Sequence, residues 1–296
     1  MKIAIHGRNF NDSVKPFVQS MFDTLEAKGV SLQISESYHK FLQEKGIVYN
    51  SSSIYASQKD LAGAQFVFSL GGDGTLLDAV THVGDYEIPI LGINTGRLGF
   101  LATISPDKIQ ESLDELFNEQ YSLDKRTLVS ISTQLNGKPI DIFDGLNFGL
   151  NELGIMKTDT SSMIVVKAYL NGEYLNAYWA DGLIIATATG STGYNLSVGG
   201  PLVMPSSDIF VIAPMSPHNL NVRPLVVTTD SILDFEVESR SANYLISLDA
   251  RSKVVDGNVK IRMEREKFKA NLVKLSNINF LNTLRSKLNW GLDIRN

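Results

Sequence analysis

Near Tyr121 the hydrophobic periodicity of the chain changes, and no single sheet architecture accommodates both halves. Before that point strand-like and helix-like runs alternate, which implies a parallel α/β sheet. Lys2–His6 reads as a strand, and Asn11-Asp12-Ser13 as a cap for the helix that follows. Val14, Phe17, Val18, Met21 and Leu25 of that helix share one face, and Gly29 ends it. Val30–Ile34, Gln65–Leu70 and Ile88–Asn94 read as further strands, with Glu36–Glu44 as a helix between the first two. Ser105-Pro106 opens a helix with Ile109, Leu113, Leu116 and Phe117 inward. From Thr127 onward the period is mostly two, the signature of an antiparallel β domain over 126–270. Asn136-Gly137, Asn171-Gly172 and Asp256-Gly257 are each expected to supply the pair of positive φ angles of a type I′ hairpin turn. Thr283–Asn289 is helical again, with Leu281, Leu284 and Leu288 on one face.

Composition removes several classes of function. Among 296 residues, 27 Lys+Arg against 32 Asp+Glu leave a net charge of −5. That argues against a nucleic-acid or membrane-surface partner, which would need clustered cations. With no cysteine there is no disulfide framework, thiolate nucleophile or cysteine-ligated metal. The opening residues lack a signal peptide, and no apolar run approaches the ~18–20 residues of a membrane span. A cytoplasmic protein is expected.

The sharpest chemical signal is Gly71-Gly72-Asp73-Gly74-Thr75, which leaves an apolar strand and opens a helix. Ligands bind at the carboxyl ends of strands in such sheets, and glycines let amides approach phosphate at a helix N-terminus. A carboxylate in that loop would repel phosphate unless it takes a proton from an attacking hydroxyl or holds a bridging cation. No lysine follows the glycines, so this is not a Walker P-loop, nor does it fit the dinucleotide fingerprint. Asn94–Leu101 is a second strand-end loop, in which Arg97 can meet phosphate and Phe100 can stack on a base. Asn151-Glu152 offers donors and acceptors suited to ribose hydroxyls. Asp181-Gly182 and Thr189-Gly190-Ser191-Thr192-Gly193-Tyr194 bracket a buried strand ending in small hydroxylic residues. The order is not that of a hydrolase nucleophile elbow. Among the histidines, His39 and His82 read as helix-surface residues, and no pair has metal-ligand spacing. His218, after the apolar run 209–213, reads as lining a site, and the mixed charges of 262–269 as a solvated strand face.

Together these landmarks resemble the NAD kinase family, whose members phosphorylate the adenosine ribose 2′-hydroxyl of NAD. The resemblance rests on Gly71–Thr75, Asn94–Leu101, Asn151-Glu152, Asp181-Gly182, Thr189–Tyr194, Pro217-His218, Arg223-Pro224-Leu225 and Asp249-Ala250-Arg251, in family order. It implies an α/β N-terminal domain with a Rossmann-like parallel sheet over 1–125 and an antiparallel β-sandwich-like domain over 126–270. A C-terminal segment, 271–296, returns its helix to the first domain. It implies Asp73 as the base, and Gly71, Gly72, Gly74 and Thr75 on the phosphates of Mg²⁺-ATP, or ATP with another divalent cation, the ligands of that metal unassigned. Asn151 and Glu152 would hold the NAD ribose. Phe100, Asp181, Thr189, Thr192, Gly193, Tyr194, Asn195, Leu196, Ser197 and Arg251 would complete the nucleotide-binding set. A homodimer or homotetramer with sites shared between subunits is implied, Asp181 being offered to a neighbour. The chain departs from the family at Gly193, usually Ala and expected to cost little; at Ala188, usually Pro; at Ala250, usually Gly; and at Trp179, where relatives carry a basic residue. The last leaves NAD and NADH both open as acceptors. A lipid or small-molecule kinase with the same glycine loop, and a dinucleotide sensor without chemistry, are the alternatives.

Overall fold

The structure, a computed structural model, describes residues 1–50, 53–96, 99–158, 162–276 and 279–289. The chain forms two compact units, Met1–Lys125 with Ala270–Asn296, and Arg126–Lys269.

The first unit is an α/β layer structure. Its strands are β1 (Lys2–Gly7), β2 (Ser31–Ser35), β3 (Ser53–Tyr55), β4 (Phe66–Leu70), β5 (Ile90–Ile93) and β6 (Tyr121–Arg126), and a seventh from much later in the chain, β20 (Ala270–Leu275). They lie in the order β3-β2-β1-β4-β5-β20-β6. The pairs β2–β3, β1–β2, β1–β4, β4–β5 and β5–β20 are parallel. Helices α1 (Lys15–Ala27), α2 (Glu36–Glu44), α3 (Asp73–Val83) and α4 (Ile109–Phe117) connect them. In α1, Pro16 occupies the first turn and Gly29 closes the end at φ +67°. Its buried face is Val18, Met21, Phe22 and Leu25, so Phe22 stands inside and the expected Phe17 is 41% exposed. The inward stripe runs through Val14, Val18, Met21 and Leu25; Phe17 and Phe22 flank it on opposite sides, and the helix turns the Phe22 side inward. His82, expected on the surface, is half-buried on α3 with its ring 4.8 Å from His6 and 5.8 Å from Tyr55. Burial holds His6 down to about 3 and also lowers His82, so both rings are neutral at pH 7. The last helix of the chain, α6 (Phe280–Leu288), is capped by the Asn279 side chain, which accepts the Leu281 amide at 2.9 Å. It buries Leu284 and leaves Leu281 exposed, against the single apolar stripe expected. Residues 290–296 of the C-terminal segment lie outside the described residues.

The second unit is an antiparallel sandwich. Its strands are β7 (Val129–Leu135), β8 (Lys138–Ile140), β9 (Phe148–Gly149), β10 (Glu152–Lys157), β11 (Ile164–Leu170), β12 (Glu173–Ala180), β13 (Gly182–Thr187), β14 (Ile209–Met215), β15 (Leu225–Thr228), β16 (Leu233–Glu238), β17 (Asn243–Leu248), β18 (Arg251–Asp256) and β19 (Val259–Arg265). One sheet runs β15-β14-β13-β10-β17-β18 and the other β12-β11-β16-β19-β7-β8, with β9 beside β7. Side chains from both sheets, among them Ile155, Leu183, Ile212, Tyr244, Val166, Phe235 and Ile261, fill one core. Alternation is cleanest on β19, where Val259, Ile261 and Met263 are buried and their neighbours exposed. The outward side chains of the second sheet pair across strands, as in the fork of Arg262 on Asp234 at 2.8 and 3.1 Å, a solvated face as the sequence predicts.

Two of the three predicted hairpin turns have the expected backbone, with φ 52° and 76° at Asn136-Gly137 and 52° and 85° at Asn171-Gly172. Asp256-Gly257 does not. It carries the chain from β18 in one sheet to β19 in the other, and neither residue has positive φ. The Asp256 carboxylate instead accepts the Asn258 amide at 2.8 Å, an Asx turn. No helix among the described residues is long and apolar enough to cross a membrane.

Candidate active site

In the first unit the parallel pairing of β4 with β5 brings two predicted loops side by side. Leu70 is in register with Ile93, and the Gly71 amide donates to the Ile93 carbonyl at 2.9 Å. Both loops therefore leave the carboxyl edge of the sheet together, where a doubly wound sheet binds ligands. Residue 71 must be glycine, because a Cβ there would fall 2.0 Å from Thr75 Oγ1. Among the described residues nothing lies within 4 Å of a Cβ position at Gly72 or Gly74, so they leave the turn into α3 open on that side. Thr75 is buried beneath it.

Asp73 is the first residue of α3 and is partly buried. Its carboxylate accepts three successive amides of the second loop, Phe100 at 2.8 Å and Leu101 and Ala102 at 3.0 Å each. Gly99 permits this closeness, since a Cβ there would lie 1.8 Å from Asp73 Oδ1. An ionised carboxylate has about four acceptor directions, so three amides leave one for a further donor. Phe100 thus enters the site through its amide. Asn94, buried, shapes the same loop by accepting the Gly96 amide at 2.6 Å. Arg97, expected on phosphate, and Leu98 lie outside the described residues.

In the second unit three separated motifs meet at one end of β10. Glu152, the first residue of β10, faces Ala186 of β13, and Leu153 faces Leu248 of β17. That register sets Asn151-Glu152, the Thr187–Tyr194 segment and the Asp249–Arg251 turn together. The Asn151 carbonyl accepts the Thr187 amide at 2.8 Å, and Thr187 Oγ1 donates to the Leu150 carbonyl at 2.7 Å. Gly190 runs against Asn151 so closely that a Cβ would fall 2.0 Å from its carbonyl oxygen. At Gly193 a Cβ would lie 2.8 Å from Glu152 Oε2, so the missing methyl leaves the space in which that carboxyl rests.

Glu152 is buried and accepts one long bond from the Tyr194 amide, 3.4 Å. Burial, then the neighbouring Asp249 charge, push Glu152 up to about 7, with the Tyr194 amide pulling the other way. Among the described residues the Asn151 side chain has no protein hydrogen-bond partner, which leaves its amide for a ligand. Tyr194 is 40% exposed, Ser197 is exposed, and Thr192 and Leu196 are partly so. Asn195 points the other way. It is fully buried, and its amide donates to the carbonyls of Ser191 at 3.3 Å and Pro201 at 3.1 Å, holding the segment shut from within. Thr189 is buried too, its hydroxyl accepting from Arg126 at 3.1 Å. Arg251 spends its guanidinium on the Leu146 carbonyl at 2.6 Å and the Phe148 carbonyl, beside the Phe143 and Phe148 rings. Asp181 joins β12 to β13 and pairs with Lys157 at 2.6 Å. His218 is exposed, its amide donating to the Trp179 carbonyl at 2.8 Å.

Asp249, which the sequence does not single out as a site residue, belongs to this cluster. Its carboxylate accepts the amides of Leu150, Asn151 and Glu152, at 2.8, 2.7 and 3.1 Å. The expected departure of this turn at Ala250 resolves simply. The positive φ, 52°, falls on Asp249, and position 250 needs no glycine. Among the described residues no three His, Cys, Asp or Glu side chains are grouped as metal ligands.

Comparison with known proteins gives a consistent result. The family model for the ATP-NAD kinase N-terminal domain matches residues 8–121, and that for the ATP-NAD kinase C-terminal domain residues 150–275. An NAD kinase of Cytophaga hutchinsonii is 47% identical and one of Flavobacterium psychrophilum 43%, each alignment covering 100% of both chains. Among solved structures, an NAD kinase from Archaeoglobus fulgidus in complex with ATP aligns with TM-score 0.75 at 26% identity, over 98% of this chain and 99% of that one. Yeast NADH kinase complexed with NADH shares the fold at TM-score 0.87 and 20% identity, over 100% of this chain and 89% of the other.

Proposed function

The chain belongs to the ATP-NAD kinase family, and on that premise we propose how its residues divide the reaction. The enzyme phosphorylates NAD to NADP with ATP as donor. The lipid-kinase and sensor alternatives therefore fall away.

Phosphoryl transfer asks a protein mainly for positioning and charge neutralisation. The first unit supplies the phosphate end. Amides of Gly72 and Gly74 at the open start of α3 are suited to phosphate oxygens, and the helix dipole adds to their pull. Asp73 is the base for the acceptor 2′-hydroxyl. The observation that carries this role is the geometry of its carboxylate, fixed by three amides with one acceptor direction left for a hydroxyl. Magnesium enters this reading with the co-substrate, as Mg²⁺-ATP, where it would neutralise phosphate charge.

The second unit supplies the dinucleotide end. Asn151 and Glu152 hold ribose hydroxyls; Thr192, Gly193, Tyr194, Leu196 and Ser197 line the approach, while Thr189, Asn195 and Arg251 brace it. The enzyme is proposed to work in the cytoplasm as a homodimer or homotetramer, with Asp181 serving a neighbouring subunit.

The test is incubation with Mg²⁺-ATP and either NAD or NADH, with NADP(H) read by a coupled dehydrogenase. NADP formation that is lost in Asp73→Asn supports the assignment, and the two acceptors compared give the preference. Near-normal turnover in Asp73→Asn would remove Asp73 from the role of base.

A further inference from the structure

Asp249 opens the two-residue turn between β17 and β18 in a left-handed conformation, φ 52°. Four hydrogen bonds tie it to a stretch almost a hundred residues earlier. Its carboxylate takes the three amides of 150–152, and its own amide donates to the Glu152 carbonyl at 3.1 Å. A Cβ on Gly149 would lie 3.0 Å from Asp249 Oδ1, so that backbone is drawn tightly over the carboxylate. The residues so held are the two whose side chains the proposed function places on the ribose.

We propose that Asp249 is the positioning residue of the dinucleotide end, fixing the 150–152 backbone and thereby the aim of Asn151 and Glu152. The inference rests on the ribose-binding reading of that pair.

A second consequence follows from charge. Two carboxyls share one enclosed site, so they titrate as a coupled pair. Burial raises Asp249, while its three amides and the Arg251 guanidinium pull it back. Glu152 has only the long Tyr194 amide bond in its favour and faces the Asp249 charge. Three of the acceptor directions on Asp249 are taken by N–H groups, so of the two carboxyls Glu152 is the one its surroundings push toward the protonated form. The groups acting on the pair are thus the amides of 150–152, Arg251 from β18, the Tyr194 amide from α5 (Tyr194–Ser197), and the two carboxyls themselves. A protonated Glu152 donates to a ribose oxygen, which an ionised one cannot do.

Asp249→Asn tests this. Asparagine tolerates the left-handed turn, but its amide group sets a donor against a donor. The Michaelis constant for NAD is expected to rise roughly 10-fold while that for ATP holds. The limb of the kcat/KM profile belonging to Glu152, near neutral pH in the parent, should move down by about one pH unit once the repelling charge is gone. A residue that merely stabilised the fold would lower the melting temperature and leave that limb in place. A folded variant with unchanged NAD constant and unmoved limb overturns the proposal. Should Asp249→Asn not fold, carbon-13 titration of the carboxyls in the unaltered protein decides. A Glu152 curve near neutral pH, with the Asp249 signal shifting as Glu152 ionises, supports the proposal, and a Glu152 curve in the ordinary carboxylate range overturns it. If the parent enzyme makes no NADP from NAD and Mg²⁺-ATP, the ribose-binding reading has failed first, a result distinct from a parent-like Asp249 variant.

Discussion

Asp73 in the α/β unit and Asp249 in the sandwich each gather three consecutive backbone amides, 100–102 in one case and 150–152 in the other. Their surroundings are opposite. Asp73 sits between Gly72 and Gly74, where a side chain would meet no described residue, at the start of an eleven-residue helix. Asp249 sits under Gly149 beside a second carboxyl that burial has brought to about 7. The same clamp therefore serves two ends. Beside open glycines it holds a carboxylate still while leaving it reachable. Beneath a backbone strand it makes the carboxylate part of the scaffold. What a carboxylate does is decided less by its hydrogen bonds than by what stands next to the acceptor direction they leave.

The sharpest way to break this contrast is to neutralise the reachable member. Asp73→Asn is predicted to lower turnover roughly 100-fold or more while leaving NAD binding intact, read by steady-state kinetics beside calorimetry. If it instead raised only the NAD constant, the two aspartates would be alike.

The glycines give the next contrast. Gly190→Ala drives a Cβ to 2.0 Å from a backbone carbonyl that cannot swing away. It should cost about 1–3 kcal/mol in urea unfolding. Gly99→Ala drives its Cβ against Asp73, a side chain that can rotate, so it should cost less stability and more turnover. A Gly99→Ala enzyme of full activity would show that the clamp does not hold Asp73 in its working position.

The two units are also predicted to respond to pH with opposite sign. His6, held down to about 3 by burial, leaves stability intact above pH 6.5 and removes it as pH falls toward 3, because the unfolded chain binds the extra proton. Glu152, raised to about 7, contributes fully below pH 4.5, and that contribution is lost as pH rises toward 7. Each slope is bounded at about 1.4 kcal/mol per pH unit. Amide hydrogen exchange followed separately in the cores of β1 and β10 measures both, and parallel slopes would refute the assignment.

The smallest effect is reserved for Gly72→Ala. With open space around it, stability should stay within about 0.5 kcal/mol, while the Michaelis constant for ATP rises if phosphate needs that approach. An unchanged ATP constant would take Gly72 out of the phosphate contacts.

Local chemistry was legible in the sequence where its cause is local. The strand into Gly71–Thr75 is apolar but for Ser69 because both faces of β4 are covered, and Asn-Gly sets its turn where two strands of one sheet flank it. The same reasoning misplaced Asp256-Gly257, since a dipeptide cannot say whether the next strand joins the same sheet. His82 looked exposed because helical spacing does not reveal a His6 ring waiting on β1. Asn195 enters the expected site through the resemblance alone, and no spacing rule shows that its amide donates to the carbonyls of 191 and 201. The Asp249 clamp spans 97 to 99 positions of sequence, beyond any spacing rule. Its one visible sign was an aspartate in a turn marked as different by Ala250, where the family usually has glycine.

The strand Ala270–Leu275 lies between β5 and β6 in the first sheet. During synthesis, then, β6 leaves the ribosome with its sheet neighbour still more than 140 residues from being made, and the whole sandwich emerges in the interval. The sandwich, continuous from 126 to 269, can fold as soon as it is out. The unit that begins the protein is thus the last to be completed, and a chain released early would carry the glycine loop on an unfinished sheet.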